Sequence, residues 1–190
     1  MSLADDRLKW NARYTEAGLA QAPSPHPLAL RWRGRMIGGR MLDAACGQGR
    51  GIAAAGHLFH TIYGVDVSDV AIAQGQQLWP PGPGSLGGKI QWTVGDVTTM
   101  PWEPDSLGLV CAFGFTDLPF VRRMRECIRW GGMLLYEGFS KRQLTVKRDL
   151  DPAWTTSFED WEALLPGWQV LERGETLDTP YRIRYAAVRP

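Results

Sequence analysis

The chain has 190 residues, 44% of them apolar, which is enough for one sizeable core and a single domain, and its 21 basic and 20 acidic side chains leave a formal net charge of +1. That balance gives no electrostatic reason to expect nucleic acid or an anionic membrane as partner, and no apolar run reaches the length of a membrane span, so the expected partner is a small molecule. Cys46, Cys111 and Cys127 form no C-x-x-C pair, and the opening MSLADDRLKW lacks the basic and apolar pattern of a signal peptide; a cytoplasmic monomer or homodimer with free thiols is expected.

In chain order, Trp10, Tyr14 and Ala17 recur on one helical face and predict a first helix that stops at Gly18. The proline and glycine breaks QAPSPHP, 21–27, and WPPGPGSLGG, 79–88, predict surface loops, with His26 solvated in the first. From Arg40 the chain alternates short β-rich runs, at 41–45, 61–66, 90–96, 107–115 and 131–139, with helix-period segments. Ile52, Ala55 and Phe59 predict one helical stripe. Leu118, Val121, Met124 and Ile128 predict another, capped by Thr116 or Asp117 and ringed by Arg122, Arg123, Arg125 and Arg129. SFEDWEALL reads as a capped helix, and 168–175 and 181–189 as two more strands. This order predicts an α/β doubly wound sheet.

The stretch LDAACGQGRG is a strand running into a glycine turn and a helix, with Ile52 where a dinucleotide turn needs the last glycine of G-x-G-x-x-G. Gly47 and Gly49 leave bare backbone for a ligand, although a tight turn with no ligand gives the same pattern. Seventeen residues past Gly49, GVDVS places Asp66 at the end of the second strand, where a carboxylate can accept both hydroxyls of a ribose. Asp43, VGDV after the third strand and WGGML before the fifth complete the set.

Together these motifs resemble the class I S-adenosylmethionine-dependent methyltransferases, over about Arg40 to Tyr136 by motif and to the C-terminus by element order. The N-terminal WNARY, LDAACGQGR with Ala45 in place of a glycine, and FEDWEALLPGWQVLERGE are similar to the branch related to tellurite-resistance methyltransferases. The expected fold is then a Rossmann-like, doubly wound, mostly parallel seven-stranded sheet with helices on both faces and the last strand antiparallel. The resemblance implies S-adenosyl-L-methionine as cofactor, with the helix and loop of residues 1–27 as a lid. Ala45, Gly47 and Gly49 would pass under its methionine part and Asp43 would anchor the ammonium. Asp66 would hold the ribose. Asp96 and the amide of Val97 would bind the adenine, Val67 would pack on one side of the ring, and Phe113 or Phe115 would cover adenine or sulfonium. Arg13 and Tyr14 would close over the methionine end. Each residue also has a structural reading: Asp43 as a helix cap, Asp96 as a turn former, the aromatics as core.

Methyl transfer is an in-line displacement on a carbon already activated by the cofactor, so no general base is strictly required. Tyr14, Asp117 and Tyr181, with Glu137 and Tyr185, are the polar side chains placed to face an acceptor, and helix capping explains Asp117 equally well. Many relatives carry an acidic residue at the start of the fourth strand, where this chain has PDSLGLV, with Asp105 at its edge. His57 and His60 form H-x-x-H without further ligands at useful spacing, so no metal is expected. The arginines around 122–129 read as a solvated helix face. A nicotinamide-dependent oxidoreductase and a non-catalytic cofactor binder are the rival readings.

Overall fold

A computed structural model describes residues 3–22 and 24–190; Met1, Ser2 and Pro23, the last inside the first predicted loop, lie outside them. The chain divides after Pro101 into two compact units.

The first unit opens with α1 (Leu3–Ala17), whose first turn carries Asp5 and Asp6 toward the positive helix end. It stops as predicted at Gly18, which takes φ +70° while its amide donates to the Tyr14 carbonyl. α2 (Pro27–Trp32) follows directly on the proline loop, since Pro27 occupies the first helical turn, where its missing N–H costs nothing. His26 is its cap and is buried, not solvated: the Leu28 amide donates to its Nδ1 at 3.3 Å, and its own amide donates to the Arg50 carbonyl at 3.1 Å. β1 (Arg40–Ala44), α3 (Arg50–Ala55), β2 (Thr61–Asp66), α4 (Asp69–Leu78) and β3 (Ile90–Val94) then alternate. The strands are parallel with β2 in the middle, in the register Asp43 beside Gly64 and Gly64 beside Trp92. Phe59, assigned above to a helical stripe, lies in extended backbone beyond a short 3₁₀ turn and is still core.

Small residues shape this layer. A Cβ at Gly75 of α4 would stand 2.7 Å from the Trp92 ring, and one at Gly64 of β2 would stand 3.0 Å from it. The two glycines let the indole lie flat between helix and sheet.

The second unit contains β4 (Leu107–Phe113), α5 (Leu118–Cys127), β5 (Ile128–Ser140), the two-residue β6 (Thr155–Thr156), α6 (Phe158–Leu164), β7 (Gln169–Glu175) and β8 (Arg182–Val188). β4 and β5 are parallel, and β8 runs antiparallel to both β5 and β7, as expected for the last strand. β6, beside the end of β5, adds an eighth strand to the seven predicted. Ile128 begins β5 and does not continue α5, because the chain turns extended at that residue. Asp117, not Thr116, caps α5, its Oδ1 accepting from the Phe120 amide at 2.6 Å. Ser157 and Asp160 form the predicted capping box of α6. That helix buries Trp161 between Tyr136 and Tyr185, with ring centroids 4.3 and 5.3 Å away.

Candidate functional site

The turn after β1 is the most constrained backbone of the first unit. Ala45, Gly47 and Gly49 all take positive φ, at 52°, 54° and 89°, which accounts for two of its glycines and places an alanine in the left-handed region. The third glycine of GQGRG, Gly51, has a different cause: a Cβ there would lie 2.7 Å from both carboxylate oxygens of Asp43. Asp43 therefore sits beneath the start of α3 and accepts from the Ile52 amide at 3.1 Å, which is the capping role weighed above. Burial pushes its carboxyl up to about 7, although the amides of Ile52 and Gly51 favour the anion.

Asp66 closes the turn from the neighbouring strand. Its Oδ2 accepts from the Gly47 amide at 2.8 Å and its Oδ1 from the Ser68 amide at 2.9 Å. Burial raises its pKa in spite of these bonds. Each oxygen keeps a lone pair, so the carboxylate can still accept from a ligand's hydroxyls. Cys46, buried beside both carboxylates, is held well above the ordinary thiol range by that burial and by Asp43 and Asp66.

α1 lies over this turn. Arg7 Nε donates to the Val67 carbonyl at 3.0 Å, Asn11 bonds both Ser68 Oγ and Asp69, and Gln74 Nε2 donates to the Tyr14 carbonyl. The Tyr14 hydroxyl fills the space that a Cβ on Gly47 would need. Burial, then the Asp66 charge, raise this phenol well above its usual range, so Tyr14 is a proton holder and hydrogen-bond donor at neutral pH and not a base. Arg13 is exposed, with its guanidinium 4.8 Å from the Trp10 ring centroid. Gln48, in the turn itself, bonds Gly18, Ala20 and Gln74 and so ties turn, helix end and α4 together; nothing in its motif position signalled this. The space beside Gly49 holds Trp79, Trp92 and Ile52, so packing as well as its positive φ favours glycine there.

After β3, Asp96 makes a local turn, its Oδ1 accepting from the Thr98 amide at 2.8 Å, and Val97 is buried. The carboxyl ends of three parallel strands thus bring Asp43, the glycine turn, Asp66 and Asp96 into one unit, with Tyr14 above. In the second unit Phe113 ends β4, and Phe115 packs edge-on against Phe120 at 5.6 Å. Asp117 is engaged as a cap, Tyr181 lies under the Arg142 guanidinium, and Tyr185 is buried core with a raised pKa caused by that burial. His57 and His60 are both exposed, and among the described residues no group of His, Cys, Asp or Glu could hold a metal.

Residues 41–132 match the family model described as a methyltransferase domain. No curated protein matches the sequence. Among solved structures, geranyl diphosphate C-methyltransferase from Streptomyces coelicolor is 12% identical, with 99% of this chain and 97% of that one covered at a TM-score of 0.67. A protein studied for conversion of a disulfide bond into a thioacetal group during echinomycin biosynthesis is 17% identical over 96% and 91% of the two chains, at 0.66. A Listeria monocytogenes protein provisionally assigned as an S-adenosylmethionine-dependent methyltransferase is 13% identical over 80% and 90%, at 0.65. At such identities the likeness establishes the fold, an α/β, Rossmann-like architecture with a mostly parallel sheet.

Proposed function

We propose that this chain is a class I S-adenosylmethionine-dependent methyltransferase that acts as one domain, in the cytoplasm, on a small-molecule acceptor. One observation carries the reading: the left-handed turn at Ala45, Gly47 and Gly49 is pinned to Asp66 across two parallel strands, within the segment that matches a methyltransferase domain. The W-x-x-R-Y opening supports a place beside the tellurite-resistance branch.

S-adenosylmethionine supplies a methyl group on a sulfonium, already activated for displacement. The protein's task is to hold, orient and dry. Asp66 offers its two remaining lone pairs to the ribose hydroxyls, and Asp96 with the Val97 amide takes the adenine edge, Val67 packing beside it. The backbone from Ala45 to Gly47 carries the methionine part. Asp43, fixed under α3, acts on the ammonium through the turn that it supports. Arg13 and Tyr14 on α1 close the site as a lid. The Tyr14 hydroxyl against Gly47 supports that role, because it stands over the backbone that would carry the methionine part. Tyr14 stays protonated and donates, and no residue is assigned as general base.

The test is calorimetry of S-adenosylmethionine, S-adenosylhomocysteine and NAD on the purified protein. The reading expects the first two to bind and NAD not to; NAD binding alone sinks it. Turnover to S-adenosylhomocysteine with a panel of thiol, oxyanion and amine acceptors then separates an enzyme from a non-catalytic binder.

A further inference from the structure

No described residue of α1 is buried, and its Leu8 is 70% exposed, so hydrogen bonds do much of the seating that an apolar face usually does for a helix. These bonds fall into two groups. The amino-terminal half reaches the chain just past Asp66, through Arg7 to the Val67 carbonyl and through Asn11 to Ser68 and Asp69. The carboxyl-terminal end instead meets one side chain of the glycine turn. Gln48 Nε2 donates to the Gly18 carbonyl at 2.9 Å and to Gln74 Oε1 at 2.7 Å, while its Oε1 accepts from the Ala20 amide at 3.1 Å. Gln74 Nε2 completes the ring of contacts by donating to the Tyr14 carbonyl at 3.1 Å. From behind, the Gln48 carbonyl accepts from Trp79 Nε1 at 3.2 Å, which fixes the root of the side chain.

Both hydrogens and the oxygen of the Gln48 amide are therefore spent on where α1 ends. Tyr14 projects from the last turn of that helix, and its hydroxyl lies over Gly47, the residue beside Gln48. A shift of the helix end carries the phenol off the turn, and a binding group has to be held to a fraction of an ångström by residues that do not themselves bind. We propose that Gln48, backed by Gln74, is a positioning residue for the methionine end of the cofactor: it sets Tyr14 over the turn and acts on the ligand only through that side chain. Arg7 and Asn11 hold the other half of α1, next to Asp66, so the nucleoside end does not depend on Gln48. This role rests on the cofactor reading above.

The experiment is calorimetry of S-adenosylhomocysteine and of 5′-methylthioadenosine, which has the same nucleoside and lacks the amino-acid part, on the full chain. The proteins are wild type, Gln48→Ala, Gln48→Glu, Tyr14→Ala and the double variant Tyr14→Ala with Gln48→Ala. Gln48→Glu keeps the shape and the acceptor for Ala20 and loses both Nε2 donors. The expected result is S-adenosylhomocysteine bound at least about 5-fold more weakly by both Gln48 variants, with 5′-methylthioadenosine unchanged. Adding Gln48→Ala to Tyr14→Ala should bring no further loss. Circular dichroism and the unchanged nucleoside affinity show that the variants are folded. Both ligands weakened alike make Gln48 a support of the fold alone, and equal S-adenosylhomocysteine affinity in wild type and the Gln48 variants, or losses that add to that of Tyr14→Ala, remove the action through the phenol; each of these overturns the proposal. Should wild type bind neither ligand, the cofactor reading itself falls and takes the positioning role with it.

Discussion

The Tyr14 hydroxyl lies in the Cβ position that Gly47 leaves empty, while the Gly47 amide donates to Asp66 beneath it at 2.8 Å. Gly47 is thus held from both sides, by a helix residue 33 positions earlier and by a strand residue 19 positions later. Gly47→Ala is expected to cost about 2 kcal/mol, from the left-handed φ and from the overlap with the phenol. Adding Tyr14→Ala removes the overlap and leaves the backbone strain. A double-mutant cycle by urea denaturation should therefore show the two substitutions coupled by about 1 kcal/mol; strict additivity means that α1 does not rest on this turn.

Gly75 reverses the usual rule for helix interiors. Glycine to alanine there ordinarily gains about 0.5–1 kcal/mol. In α4 the new methyl would stand 2.7 Å from the rigid Trp92 ring, and overpacking of this kind costs about 1–3 kcal/mol. The overlap is the larger effect, so Gly75→Ala lowers the denaturation midpoint, and Gly75→Ala with Trp92→Leu recovers it.

Asp66→Asn tests the double acceptor. The amides of Gly47 and Ser68 each need an oxygen, and an asparagine side chain supplies only one. The variant should lose about 1–3 kcal/mol of stability for the orphaned amide and at least about 10-fold in S-adenosylmethionine affinity. Calorimetry and thermal melts on one preparation read both. Full affinity in a folded variant removes Asp66 from the ribose.

The pH dependence of stability has its sign set by Asp43. Its pKa is 3.8 as a free side chain and about 7 in the fold, so between those values the folded chain holds a proton that the unfolded chain has released. Stability therefore falls as pH rises through that window and levels off above it. Asp66, also raised by burial, pulls the same way. Urea midpoints at about pH 5 and about pH 8 should differ in wild type and differ less in Asp43→Asn, whose side-chain oxygen still accepts from Ile52. A steeper fall in the variant refutes this account.

How much of this was written in the sequence depends on how local each cause is. The strand end at Asp66, the stop at Gly18 and the cap at Ser157 rest on neighbours a few residues away, and they read directly, whereas the third strand stops at Val94, two residues short of the predicted 96. Ile128 misled because it continues the spacing of Met124 on α5 while opening β5; apolar periodicity carries no mark where helix becomes strand. α2 and the burial of His26 were hidden by Pro27, which reads as a breaker until it is known to stand in a first turn. Gly49 and Gly51 stand in one glycine run, and the sequence does not show that one has tryptophans beside it and the other Asp43.

Ala45, at φ 52°, is the one residue of the turn that adopts the left-handed region without being glycine. A glycine in its place would relieve about 1–2 kcal/mol of strain in the folded chain. It would also enlarge the set of states open to the unfolded chain, by about 0.4–1 kcal/mol in free energy. The two effects partly offset each other in overall stability. They do not cancel in local motion: alanine keeps the loop committed to one shape before any ligand arrives, so that little ordering is left to be done on binding. Amide hydrogen exchange at Gly47 and Gly49 should accordingly quicken in Ala45→Gly, even though the melting temperature does not fall.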